Sequence, residues 1–333
     1  MIPTRYPQRV PARVPDRRPL SFMSGDLYFN GELLIPVNTT QGVGEYGATV
    51  VFDGATSELH DKNGRKVLEV PTAGPLSRFS YGNNGPIYFD GDMSYIRFDD
   101  GAVPALEGTF HEDAVKKCIS LTQFRCSDTQ LSGTLPDFSK CINLERIFTS
   151  DASFTGTLLS LSACTGLIRV EIQNNSLTGT LPSFSSCTSL DKLSVSNNSF
   201  SGTLPSFSSC TLLTMFYVTN NSFSSTLPSF SSCTLLEEFF CRQNAFTGPI
   251  PSFAPCTSLT QLRLNNNSWN QAEISDFIDD IYTIRVALGG NSCTIAIENN
   301  AIPDADAIAK IEGTGAYAGD GLKDNGCTVT YDT

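Results

Sequence analysis

Seven cysteines stand at positions 118, 141, 164, 187, 210, 233 and 256, each 23 residues after the one before. Such a metre requires the chain to return to an equivalent place every 23 residues, so the backbone must coil as a stack of like turns. Each turn buries its apolar side chains against its neighbours alone, so the stack needs several turns and atypical ends. The turn from Cys187 reads CTSLDKLSVSNNSFSGTLPSFSS, and the turn from Cys164 reads CTGLIRVEIQNNSLTGTLPSFSS. Their shared frame is C-x-x-L-x-x-L-x-V-x-N-N-x-F-x-G-x-L-P-x-F.

Each position of the frame has a physical task. Leu190, Leu193 and Val195 are expected to point inward, the last two alternating along a short strand. Asn198 follows that strand, with counterparts Asn175, Asn221, Asn244 and Asn267, and a stack of such side chains can bond backbone groups of neighbouring turns. Gly202 and Pro205 shape the return path, which proline makes extended or tightly turned rather than helical. Phe207, with Phe138, Phe184, Phe230 and Phe253, forms an inner column. In the first two turns Thr129 and Ala152 replace the asparagine and Leu159 the proline, which reads as the N-terminal edge of the stack. The cysteine column reads as reduced, buried thiols acting as small apolar side chains: seven in a row cannot all pair, and none has metal-ligand spacing. Cys126 and Cys241 fall on inward strand positions. The sequons at Asn174, Asn197, Asn220 and Asn266 accompany the turn asparagines and are read as structural rather than glycosylated.

Over residues 118–267 this frame resembles leucine-rich repeats, nearest to the kind with a G-x-L/I-P segment known from plant proteins. Past Trp269 the pattern changes. QAEISDFIDDIY (271–282) reads as an amphipathic helix, CTIAIENNAI (293–302) repeats the strand motif with Ile302 at the place of Phe200, DADAIAKIEG forms a second helix opened by Asp304, and NGCTVTYDT closes with a strand. This tail resembles the C-terminal caps of repeat proteins encoded by phages and prophages.

Ahead of the repeats, DLYFNGELLIPV, ATVVFDG, KVLEV, PIYFDG and SYIRFDDG alternate and are separated by Gly, Asn and Asp turns. The expected fold class is therefore mainly β: an N-terminal all-β domain, then a leucine-rich-repeat solenoid, then an α/β C-terminal cap. The expected boundaries are 1–20 for an extended Pro/Arg-rich arm, 21–112 for the all-β domain, 113–270 for the solenoid and 271–333 for the cap. The arm runs as four P-x-R-x tetrapeptides carrying Arg5, Arg9, Arg13 and Arg17, which favours extended backbone without a core. It lacks the apolar core of an export signal, and no run of 18 apolar residues could span a membrane.

The chain carries a net charge of −12, which argues against nucleic acid as a partner. Its two histidines, His60 and His111, lie in turn-like contexts, and the carboxylate clusters Asp90/Asp92, Asp99–Asp100 and Asp279–Asp280 read as polar turns and helix faces. No catalytic residue, cofactor or metal is expected, and no nucleophile elbow, zinc motif or phosphate loop occurs. Recognition is placed on the outward strand positions, which differ from turn to turn where the return segment is nearly constant. Binding is assigned to Arg146, Phe148, Arg169, Tyr217, Phe240 and Arg242. Arm and phage-like tail together point to a virion structural protein, a decoration or tail component. Its arm would hold other virion proteins in a homo- or hetero-oligomeric assembly, and its strand face a protein or glycan. The alternative is a secreted or cell-surface recognition or inhibitor protein, against which stands the apparent lack of paired capping cysteines.

Overall fold

The computed structural model describes residues 118–287, 293–317 and 321–332, residues 112 and 114–116, and six short strands between residues 49 and 110. Arg5, Arg9, Arg13 and Arg17, the clusters Asp90/Asp92 and Asp99–Asp100, and His111 lie outside the described residues.

The chain is a mainly β leucine-rich-repeat solenoid with a short α/β cap. Each turn contributes a strand to a first sheet, and each turn up to the one from Cys233 contributes another to a second, with neighbouring turns pairing in parallel. The first sheet takes the three-residue strands Gln123–Arg125, Arg146–Phe148, Arg169–Glu171, Lys192–Ser194, Met215–Tyr217, Glu238–Phe240 and Gln261–Arg263. Neighbouring strands pair in parallel with equivalent residues opposite each other, as Arg169 with Lys192 and Tyr217 with Phe240. The middle residue of each strand (Phe124, Ile147, Val170, Leu193, Phe216, Phe239, Leu262) is buried, so the residues on either side face outward.

A residue in the left-handed conformation then turns the chain. It is Asp128, Asp151, Asn174, Asn197, Asn220, Gln243 or Asn266, with φ between 52° and 58°. Asn and Asp tolerate that region best among residues with a Cβ. The next residue is the expected ladder asparagine. Asn198 donates from Nδ2 to the carbonyls of Ile172 (3.0 Å), Val195 (3.1 Å) and Ser196 (3.2 Å), and its Oδ1 accepts the N–H of Leu177 at 3.0 Å. Asn175, Asn221 and Asn244 repeat the arrangement. Thr129 substitutes in the first turn, bonding the Cys126 carbonyl at 2.9 Å.

A second parallel sheet follows, which the sequence reading left as an irregular return path. Its strands include Ser153–Thr157, Ser176–Gly179, Ser199–Gly202 and Ser222–Ser225. Here Thr178 lies opposite Ser199 and Thr155 opposite Ser176, so equivalent residues slip along the strand from one turn to the next. Gly179 sits at φ +80°, where a Cβ would come within 2.8 Å of the Thr157 methyl. Proline appears only after these strands end, consistent with its missing N–H.

The stack does not stop at the irregular first turns. Met93–Arg97 pairs in parallel with Gln123–Arg125, and Glu107–Phe110 with Gln130–Thr134. Both sheets therefore continue into the segment expected as a separate all-β domain. An antiparallel pair, Glu58–Asp61 (which carries His60) with Lys66–Glu69, ends the first sheet there.

At the other end, helix α1 (Gln271–Ala287) runs further than expected, and helix α2 (Ala305–Glu312) is capped by Asp304, whose Oδ1 accepts the Ala307 N–H at 2.8 Å. Strands Thr294–Ala296 and Thr328–Thr330 extend the first sheet. Ile302 does not take the inward place of Phe200 but is 45% exposed, because the chain leaves the repeat path for α2, and Pro303 is buried instead.

Candidate functional site

The outward positions of the first sheet form two columns. One holds Gln123, Arg146, Arg169, Lys192, Met215, Glu238 and Gln261; the other holds Arg125, Phe148, Glu171, Ser194, Tyr217, Phe240 and Arg263. In-register pairing puts equivalent side chains one strand spacing apart, roughly 5 Å, so planar groups in a column must stack.

Tyr217 and Phe240 stack with centroids 4.8 Å apart and planes 21° from parallel. The guanidinium of Arg263 lies 4.5 Å over the other side of Phe240, and the ammonium of Lys192 lies 5.7 Å from the Tyr217 centroid. Polar bonds lock this pile from the side. The Tyr217 hydroxyl donates to Glu238 Oε2, Gln261 Nε2 donates to Glu238 Oε1 at 3.1 Å, and Arg263 donates to Gln261 Oε1 at 3.2 Å. Lys192 bonds Glu171 at 2.9 Å and so lies across Ser194, which is buried. Burial, then the bond to Glu238, push the Tyr217 hydroxyl well above its usual pKa, so it is a neutral donor at all physiological pH values. Each cation–ring contact contributes about 0.5–2 kcal/mol.

Of the six residues assigned from the sequence, Tyr217 and Phe240 therefore meet directly, and Arg242 stands exposed two residues beyond Phe240. Phe148 belongs to a separate group, with the Arg125 guanidinium 4.7 Å over its ring. Arg146 lies 3.7 Å from Glu145, and Arg169 bonds Asp191 at 3.2 Å. The Glu171–Lys192 pair separates the two aromatic groups. Sequence reasoning placed Lys192, Glu238, Gln261 and Arg263 in the two columns without assigning them to binding; comparing neighbours 21 to 25 residues apart for charge and ring complementarity finds them.

The cysteine column has a role beyond small size. In each turn the cysteine N–H bonds the carbonyl of the inner-column residue three positions earlier, as Cys187 to Phe184 at 2.9 Å. The same carbonyl also faces the thiol of the next turn, as Phe184 with Cys210 Sγ at 3.7 Å and Phe207 with Cys233 Sγ at 3.6 Å. A carbonyl has two lone pairs, and the thiol is a weak donor small enough to fill the second. Burial raises the Cys187 and Cys210 thiols to about 12, and Cys164 and Cys233 to about 11. These thiols are poor nucleophiles.

Cys293 and Cys327 differ: they form a disulfide between the two cap strands, with Cα atoms 4.6 Å apart. The cap thus carries the cysteine pair that the sequence reading found missing. Nine cysteines remain free. Thiol titration of the unfolded, unreduced protein is expected to give nine, and a count of eleven would refute the pairing.

Among the described residues, no group of three or more His, Cys, Asp or Glu could hold a metal ion. No described helix is long and apolar enough to cross a membrane.

A leucine-rich-repeat family model matches residues 189–210. No curated protein matches the chain. Among solved structures, it resembles the ectodomain of the Arabidopsis receptor kinase HAESA in complex with the peptide hormone IDA and the co-receptor SERK1 (22% identity, TM-score 0.51), over 74% of this chain and 37% of that one. It also resembles PEPR1 in its complex with AtPEP1 (20% identity, TM-score 0.50), over 64% of this chain and 37% of that one. The chain therefore spans well under half the length of these proteins. Their likeness is one of fold. These matches are plant receptor ectodomains, where the sequence reading pointed to phage and prophage proteins. That finding overturns the phage resemblance, the virion structural role, the virion location and the partnership with other virion proteins. The reasons for the error are physical: a helix-bearing end is a general way to close any solenoid, and an arginine-rich arm specifies charge but no assembly.

Proposed function

We propose that this chain is an extracellular, non-enzymatic recognition module that holds a peptide or protein segment on the strand face of its first sheet. One observation carries the reading. The outward side chains of that face differ from turn to turn, yet they are assembled in advance into the Lys192–Tyr217–Phe240–Arg263 pile with its Glu238 and Gln261 braces. Scaffold alone asks for no such variety, as the repeated TLPSFSS return segment demonstrates. Aromatic and arginine side chains held rigid lose little entropy when a partner docks, which is why they anchor interfaces.

The Cys293–Cys327 disulfide supports an oxidising compartment. The HAESA structure is that of a receptor kinase in complex with a peptide hormone, and the proposed mode is of that general kind. In this reading the segment up to residue 112 closes one end of the solenoid and residues 271–333 close the other.

The test compares two faces. Tyr217→Ala with Phe240→Ala is expected to weaken binding to ligands found by screening secreted peptides and ectodomains by over a hundredfold, about 3 kcal/mol. Thr178→Ala on the second sheet is expected to leave it unchanged. Equal binding by both variants would refute the assignment.

A further inference from the structure

We infer that the ligand of this face is an acidic peptide segment rather than a glycan; the inference rests on the strand face being the binding surface. Glycan recognition by aromatic side chains needs an open ring face against which a sugar can lie. Here neighbouring turns occupy those faces. Phe240 has Tyr217 on one side and Arg263 on the other, and Tyr217 has Phe240 and Lys192. Phe148 has one side taken by Arg125. What the Tyr217–Phe240 pile turns to solvent is ring edges, which are electropositive.

The charges on the face are unequal in availability. Its two central carboxylates are consumed internally: Glu171 by Lys192, both of them about four-fifths buried, and Glu238 by Tyr217 and Gln261. The guanidiniums are not. Each has five N–H donors. Arg169 uses one bond, to Asp191, with its side chain 45% exposed. Among the described residues, Arg263 bonds Gln261 alone beyond its ring contact. Arg146 has a single ion pair at 3.7 Å. Arg242 is exposed and its guanidinium donates to nothing among the described residues.

A chain of net charge −12 thus presents a face of ring edges and under-used guanidiniums. Arg146 and Arg169 lie toward one end and Arg263 at the other, with the Tyr217 and Phe240 rings between them and Arg242 beside Phe240 on the same turn. From the turn of Arg146 to that of Arg263 the face spans about 24 Å, which matches about seven residues of extended peptide. Carboxylates at both ends of such a segment meet guanidiniums with bidentate geometry, and an apolar residue between them meets the edges of Tyr217 and Phe240.

The test is an array of random dodecapeptides beside a glycan array, probed with the whole protein, with Phe240→Ala and with Arg169→Glu/Arg242→Glu. The wild type is expected to select peptides rich in Asp and Glu and to bind no glycan. The double charge reversal is expected to weaken those hits at least a hundredfold, about tenfold for each guanidinium, and salt is expected to weaken wild-type binding. Peptide hits lost in Phe240→Ala but without acidic enrichment would overturn the acidic ligand and leave the strand face standing. Hits unaffected by Phe240→Ala would overturn the face itself. Glycan hits, or no peptide hits at all, would overturn the inference.

Discussion

Between pH 9 and pH 11 this protein is expected to lose stability steeply, by roughly 1 kcal/mol per pH unit for each buried column thiol. The cause is the cysteine column. In the unfolded chain a thiol ionises near 9.0, whereas in the fold Cys164 and Cys233 are held at about 11 and Cys187 and Cys210 at about 12, by burial first. Burial also raises Cys241, which lies wholly inside, well above its usual value. The folded values lie above the unfolded one, so this contribution is fully present below about 9 and disappears as pH climbs toward the folded values. Neighbours reinforce it: a thiolate at Cys187 or Cys233 would oppose one at Cys210. Urea unfolding at successive pH values checks the slope, and Cys187→Ala with Cys210→Ala should make it shallower. A midpoint that stays level up to pH 11 would show that the column ionises freely in the fold.

Asn198→Ala is expected to destabilise the fold by about 1–3 kcal/mol. The substitution leaves the Leu177 N–H unpaired and takes one bond from each of the carbonyls of Ile172, Val195 and Ser196, which keep the Asn175 amide, the Asn221 amide and the Asn174 N–H, in a place half-shielded from water. An unpaired buried group costs about 1–3 kcal/mol, and the thinned bonding of the three carbonyls adds to that of the single stranded N–H. Asn198→Asp keeps the acceptor but turns a carboxylate toward three carbonyls, so it should do worse at neutral pH than at pH 4. Equilibrium unfolding measures both, and a loss below 1 kcal/mol for the alanine variant would mean the ladder is dispensable. The second turn shows how such a gap is tolerated once: Ala152 lacks the amide, and the Leu131 N–H that it would serve donates to Thr129 Oγ1 at 3.4 Å instead.

Much of the fold was readable from the metre. A period of 23 with Leu193, Val195 and Asn198 at set offsets dictates what faces in, what faces out and where the chain turns, because each choice is local to one turn and repeated. The cap helix opened by Asp304 was equally readable, since a cap is a short-range bond. The second sheet was not. Its strands pair with a slip, as Thr178 with Ser199, and such a register belongs to the curvature of the whole stack rather than to any one turn. Met93–Arg97 escaped for a related reason: it joins the first sheet without the spacing of the other turns.

The strand face divides in the same way. By itself the sequence determined that residues 118–267 coil into equal turns, that cysteines line the interior and that variety gathers on one face. Only the tertiary structure decided which of those varied residues act together. It piled Tyr217 and Phe240 between two cations, set the Glu171–Lys192 pair between that pile and Phe148, aimed the thiols at carbonyls of the preceding turn, and joined Cys293 to Cys327. The physical reason is that these contacts cross from one turn to the next. Their existence depends on strand register and on the roughly 5 Å stacking distance, and a period counted along the chain supplies neither.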